Sequence, residues 1–244
     1  MRKLNEMMDR PVIDKAVRDY LRTKQRQLTG PLGAIENEAN KKRVPVIPHE
    51  TVRFLEWFLP LYKPVNILEI GTAIGFSAGL MAQFLPDEGQ ITTIERNPTM
   101  IEKAEKNFKK MKNSNKISLI KGQAEEVLQE LDESYDFIFM DSAKAKYYDF
   151  FPHCMRVLKV GGVIAIDDVL QGGTILQETE NIPRSRKKIH KKLNQFLEVV
   201  LNHPALNATI LPLGDGLLMI TKEEDADFSF MLKKRTDQHD DPKA

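Results

Sequence analysis

The chain has 244 residues, 41% hydrophobic and 29% charged, with a formal net charge of +1. This is the composition of a globular protein, neither disordered nor basic enough for its whole surface to grip nucleic acid. Cys154 stands alone, which excludes an internal disulfide and any zinc site built on cysteine pairs, and no apolar run reaches the ~18 residues of a membrane span.

Residues 12–28 place Val12, Ala16, Val17, Tyr20, Leu21 and Leu28 at helical spacing. Gly30, Pro31 and Gly33 predict the end of that helix, followed by a short charged segment. Residues 50–60 carry a second apolar stripe. Residues 1–60 therefore read as a helical arm or lid, residues 61–222 as the core, and 223–244 as a charged, frayed tail. With no apolar leader at its start and a single thiol, the chain reads as a protein of the reducing cytoplasm.

Beyond Pro64 short strands alternate with helices. A strand over 65–70 leads through a glycine-bearing turn to a helix over 75–85. A strand over 90–94 closes at Glu95, and Pro98 suits the first turn of a helix over 98–112. A strand over 116–121, a helix over 123–131 and a strand over 135–140, closing at Asp141, come next. A helix over 145–158, closed by Gly161-Gly162, precedes a strand over 163–166 that closes at Asp167-Asp168. A basic helix over 184–202 leads to β segments 208–212 and 216–221, joined by Gly214-Asp215. The alternation predicts an α/β fold: a mostly parallel seven-stranded sheet, helices on both faces and a C-terminal antiparallel hairpin.

Ligands of such sheets bind beyond the carboxyl ends of the strands, and the polar residues gather there. Glu69 to Gly75 reads E-x-G-x-x-x-G, not the G-x-G-x-x-G of a dinucleotide site, which disfavours a NAD-dependent reductase. Glu69 would repel phosphate but suits a cationic ligand such as a sulfonium amino acid. Ser77 and the amides beside it could hold a carboxylate. Glu95 stands where a ribose would present two hydroxyls, and Gln123-Ala124 where a base edge would lie. Each also has a plain reading, as a tight βα turn, a solvated strand end or a helix start.

Asp141, Asp167 and Asp168 at neighbouring strand ends repel one another unless a cation lies between them. Oxygen ligands alone favour Mg²⁺, with Mn²⁺ or Ca²⁺ as alternatives; singly, each aspartate could be a cap or turn residue. Lys144, three residues after Asp141, reaches the same cleft, to steer a substrate hydroxyl or take its proton, or else it is a solvated helix-start lysine. Arg184, Lys187, Lys188 and Lys191 share one face of the predicted basic helix. That face is either a solvated charge run or a salt-sensitive phosphate contact. Tyr147 and Tyr148 could stack on bases or pack into the core. The small net charge is a sum of unlike parts: +5 over residues 1–45, −1 over 46–222 and −3 over 223–244.

EIGTAIGFSA, TIERNP, FIFMDSAKAKYYDFF, VIAIDDVLQGG and LPLGDGL lie within a resemblance that spans residues 40–222. Together they resemble the cation-dependent O-methyltransferases of the catechol and caffeoyl-CoA type, which use S-adenosylmethionine. Within that group the chain is most similar to the bacterial tRNA 5-hydroxyuridine methyltransferase branch. The resemblance implies a Rossmann-like class I methyltransferase fold and a homodimer. It implies S-adenosylmethionine on Val46, Glu69, Gly71, Ser77, Glu95, Gln123, Ala124 and Asp141, and Mg²⁺ on Asp141, Asp167 and Asp168. Lys144 and Asp141 would assist catalysis. The acceptor would be the wobble uridine of a tRNA anticodon loop, with Arg184, Lys187, Lys188 and Lys191 on the phosphates. A small catechol-like phenol is the competing acceptor, and a non-catalytic nucleotide- or RNA-binding module the competing role. One departure stands out: the family pattern usually has Asn where this chain has Asp168.

Overall fold

The computed structural model describes residues 13–232. Residues 1–12 of the expected arm and 233–244 of the expected tail lie outside the described residues. Asp14 starts α1 (Lys15–Lys24) by accepting the backbone N–H groups of Ala16 and Val17, at 2.8 and 3.3 Å. That helix ends at Lys24, well before Gly30, and Gly30, Pro31 and Gly33, expected to stop it, instead open the next helix, so the segment after them is not a charged loop. Gly30 turns at φ +63° and Pro31 sits in a first helical turn, where its missing N–H costs nothing. The helix α2 (Gly30–Lys42) then buries Leu32, Ile35 and Ala39. The charges at 36, 38, 41 and 42 had concealed that stripe. A third helix, α3 (His49–Tyr62), buries Val52, Leu55 and Leu59 and carries Pro60 in its last turn.

The core elements follow in chain order: β1 (Asn66–Ile70), α4 (Phe76–Met81), β2 (Gln90–Glu95), α5 (Pro98–Phe108), β3 (Ile117–Lys121) and α6 (Ala124–Glu130). After them come β4 (Tyr135–Met140), α7 (Tyr147–Val157), β5 (Leu158–Ile166), α8 (Lys187–Asn202), β6 (Leu206–Leu211) and β7 (Leu217–Lys222). The seven strands lie in the order β3-β2-β1-β4-β5-β7-β6. Neighbours are parallel except where β7 inserts antiparallel between β5 and β6. The α/β fold with its closing antiparallel pair is thus as expected. Side chains alternate across the pleat into two cores. Ile67, Phe137, Phe139, Val163 and Ala165 face α2, α3, α4 and α5, whereas Leu68, Ile138, Met140, Ile164 and Ile166 face α6, α7 and α8.

Two boundaries differ from expectation. Gly161-Gly162 does not close α7; it lies inside β5, which begins at Leu158 paired with Tyr135 and shifts register before Phe137 meets Val163. Gly161, at φ +79°, takes up that irregularity. The basic helix starts at Lys187, so Arg184 lies in the preceding turn, off the helical face predicted for it.

The arm is tied down by charge. The guanidinium of Arg22 donates to both carboxylate oxygens of buried Glu50, at 2.8 and 3.1 Å, and so joins α1 to α3. Removing one partner of such a pair strands the other, at a cost of about 3 kcal/mol or more. Arg22→Ala should therefore lower the urea unfolding free energy by about 3 kcal/mol, and Arg22→Met combined with Glu50→Leu should restore most of it.

Candidate active site

The backbone ladder continues one residue past the ends of the central strands. The N–H of Asp141 donates to Ile70 O at 3.1 Å and that of Asp167 to Met140 O at 3.0 Å. On the other side of β1, the N–H of Gly71 donates to Ile94 O at 3.1 Å. Gly71, Asp141 and Asp167 are thereby fixed along one sheet edge. Gly71 adopts φ +108°, and a Cβ there would lie 2.1 Å from Asp141 O, so no other residue fits this close approach.

Two cavities open at this edge. One, of about 220 Å³, is lined by Gly71, Ala73, Glu95, Gln123, Ala124 and Asp141 among others. The other, of about 60 Å³, is lined by Val46, Asp141, Lys144, Asp167, Asp168 and Asp215 with Pro45, Ile47, Pro48 and Gly214. Asp141 belongs to both walls. Glu69 and Ser77 line neither: both are buried, Glu69 in β1 and Ser77 in the first turn of α4.

Glu69 is the most constrained group. The Thr93 hydroxyl donates to its Oε2, and Thr93 in turn pairs with Thr72 at 2.6 Å. Its Oε1 has no hydrogen-bond partner, and burial pushes the carboxyl up to about 7. A buried acid with an orphaned oxygen fits a cationic ligand. Ser142 Oγ, on the wall of the larger cavity, is likewise buried and unpartnered. Glu95 accepts the backbone N–H groups of Ala73 (2.9 Å), Arg96 (3.0 Å) and Asn97 (2.8 Å), so its carboxylate shapes the turn as well as lining the cavity. Gln123 accepts from Arg96 Nη1 at 3.2 Å.

In the smaller cavity the ammonium of Lys144 lies 3.3 Å from Asp141 Oδ1 and 2.9 Å from Asp168 Oδ2. Burial alone would lower the Lys144 pKa, but Tyr147, Asp141 and Asp168 together hold it well above its usual value. Burial, then the neighbouring aspartates, raises both Asp141 and Asp167, Asp167 the more strongly. Asp167 accepts the N–H of Asp168 at 2.9 Å, and the Tyr147 hydroxyl donates to Asp167 O at 3.0 Å. Tyr147 is thus a buried support of the carboxylate loop, not a stacking platform. Among the described residues no three His, Cys, Asp or Glu side chains are gathered, as they stand, to hold a metal ion. Lys144 stands between two of the three carboxylates. The donors themselves, all hard oxygens, fit a divalent cation of the Mg²⁺ kind.

Arg184, Lys188 and Lys191 are exposed and Lys187 partly so. The α8 helix packs against the Lys144–Lys146 turn, while none of these four basic residues lines the carboxylate cavity. Lys192, from the same run, is spent on Asp149 of α7, at 2.6 Å from each oxygen. Arg96, Ser142, Phe150 and Asp215 line the cavities without having been singled out in sequence. The first two directly follow a residue that was, and adjacency could have flagged them. Asp215 was read only as part of a hairpin turn.

The sequence profile of the O-methyltransferase family matches residues 33–223. A caffeoyl-CoA O-methyltransferase of Medicago sativa is 32% identical over 175 residues, which cover 68% of this chain and 70% of the relative. A catechol O-methyltransferase of Niastella koreensis is 30% identical over 178 residues, covering 71% and 78%. The crystal structure of a candidate caffeoyl-CoA O-methyltransferase from Staphylococcus aureus superposes with a TM-score of 0.74 at 30% identity, over 85% of this chain and 98% of that one.

Glu69 sets a pH dependence of stability. Its folded pKa of about 7 exceeds the ordinary 4.5, so the folded chain retains a proton that the unfolded chain has lost. Stability from this group therefore falls as pH rises from about 4.5 to about 7, by about 3 kcal/mol at most. Urea titrations should show Glu69→Gln gaining on the native chain across that window, with a constant difference above it.

Proposed function

The chain belongs to the O-methyltransferase family, and on that premise we propose that it methylates the 5-hydroxyl of 5-hydroxyuridine at the tRNA wobble position. The methyl donor is S-adenosylmethionine and a divalent cation assists. The observation that carries this reading is Asp141, shared by the larger cavity and the carboxylate-lined one. S-adenosylmethionine supplies an electrophilic sulfonium methyl. Bound at Asp141, Asp167 and Asp168, the cation supplies positive charge that lowers the pKa of a neighbouring hydroxyl.

The chain's own residues bind and orient. The buried carboxyl of Glu69 favours the cationic donor, and Gly71 lets it approach the backbone. Glu95, Gln123 and Ala124 line the cavity for its nucleoside part, and Val46 walls the acceptor side. Lys144, in the arrangement seen, donates to Asp141 and Asp168 and holds its proton firmly. It acts as a base only when those carboxylates are engaged elsewhere.

Two observations support an RNA acceptor. The carboxylate cavity is narrow, about 60 Å³ against about 220 Å³ for its neighbour. The acceptor therefore presents an edge from outside, as a base splayed from a loop does. Residues 184–192 contain six basic side chains and no acidic one, five of them not committed to Asp149, at the start of a helix that packs on the Lys144 turn, and a phosphate backbone would be attracted there. The 5-hydroxyl and 4-oxo oxygens of the base are neighbours on a ring, like the two oxygens of a catechol. That kinship also supports the second reading, a catechol-like phenol, which the names of the relatives favour. The exposed apolar side chains Trp57 and Leu61 on α3, and Val17 and Tyr20 on α1, support a homodimer.

Nucleoside mass spectrometry of tRNA from cells lacking the gene should show 5-methoxyuridine lost and 5-hydroxyuridine accumulated; unchanged 5-methoxyuridine would exclude the tRNA acceptor. In vitro, Asp141→Ala should cut methyl transfer at least about a hundredfold with an unaltered circular dichroism spectrum. Lys188→Glu with Lys191→Glu should raise KM for tRNA, leave kcat nearly unchanged and flatten the salt dependence.

A further inference from the structure

The β6–β7 turn touches the carboxylate loop at three points. The carboxylate of Asp215 accepts the N–H of Gly172 at 2.5 Å, its backbone O accepts that of Leu170 at 2.9 Å, and Gly216 O accepts that of Val169 at 3.1 Å. Asp215 is only 6% exposed and lies on the wall that Asp141, Asp167 and Asp168 share. The loop it grips is unusual backbone: Asp168, Gln171, Gly172 and Gly173 all have positive φ, from 52° to 79°. Asp168 and Gln171, the two that are not glycine, sit where side-chain-bearing residues are uncommon, and the Asp215 contacts add to the loop's own hydrogen bonds. The turn itself is wedged in place. A Cβ on Gly214 would lie 2.5 Å from Pro48 Cγ, and one on Gly216 would lie 2.5 Å from Leu170 Cγ.

We propose that Asp215 is the positioning residue of the cation site. Through the Gly172 amide it fixes the loop that presents Asp168, and so sets the affinity of the carboxylates for a divalent cation without ligating it. The inference rests on the cation reading above. Loss of a partner that orients a metal ligand directly weakens a site about 10–100-fold; Asp215 acts one step further out, through the Gly172 amide.

The test titrates the full chain with Mn²⁺ alone and, separately, with S-adenosylmethionine. Native protein should bind Mn²⁺, and Asp141→Ala should not. Asp215→Ala should bind Mn²⁺ at least about tenfold more weakly while keeping its S-adenosylmethionine affinity and faster exchanging the amides of residues 168–173. Asp215→Asn, which keeps an acceptor for Gly172 and is the variant to use if Asp215→Ala fails to fold, should stay close to native. Native Mn²⁺ affinity in Asp215→Ala overturns the inference and leaves the cation reading standing. Equal loss of both ligands overturns it in favour of a general structural role. Equal weakening in Asp215→Asn overturns the hydrogen-bond mechanism. A native chain that ignores Mn²⁺ overturns the cation reading and the inference together.

Discussion

The architecture of the site follows from one electrostatic conflict. The parallel ladder delivers Asp141 and Asp167 to adjacent strand ends, Asp168 follows at once, and the fold buries Asp167 almost completely. Three carboxylates so placed cannot all ionise without a counter-charge. Lys144 supplies it, bridging Asp141 and Asp168. Asp141 is also a wall of the larger cavity, so any change of charge on the carboxylate side is felt where a donor molecule would lie. The rest of the molecule holds this arrangement still. Tyr147 supports Asp167 from below, α8 packs over the Lys144 turn, and the β6–β7 turn grips the loop after Asp168.

A second conflict sits one strand away. Glu69 is buried with one oxygen unanswered, and the hydroxyls of Ser77 and Thr93 offset its burial only in part. Cores retain such groups rarely, because an unpaired buried acid weakens the fold. The two conflicts have opposite solutions. The aspartates have an internal cation in Lys144, whereas Glu69 has only hydroxyl partners. One lysine offsets only part of the charge on three aspartates, so the carboxylate cavity keeps its attraction for a cation.

Much of this was legible in the sequence, for physical reasons. Strands ending at Glu95, Asp141 and Asp167 announce themselves, because a polar residue closing an apolar run marks where the chain leaves the sheet. The E-x-G-x-x-x-G turn is readable because Gly71 is the only residue its φ and the nearby Asp141 carbonyl permit. What escaped depended on contacts between distant segments. Pro31 looked like a terminator because sequence does not show which side of a proline continues the helix. Gly161-Gly162 looked like a cap because its role appears only once β5 is laid against Tyr135. Asp215 is 43 residues from Gly172, and nothing local distinguishes it from an ordinary turn aspartate. Arg184 was put on a helix that begins three residues later, the usual uncertainty of a helix end.

Asp168 occupies a left-handed conformation, φ +58°, that Asp and Asn enter more readily than other side-chain-bearing residues. The backbone therefore accepts either of two nearly isosteric residues that differ by a full unit of charge. At this position the electrostatics of the site is uncoupled from its shape. A single-atom-scale exchange, of oxygen for an amide nitrogen, can retune the pull on a cation and on Lys144 while every hydrogen bond of the loop stays in place. Adjustment by charge alone is open here because the conformation, not the carboxylate, is what the fold demands.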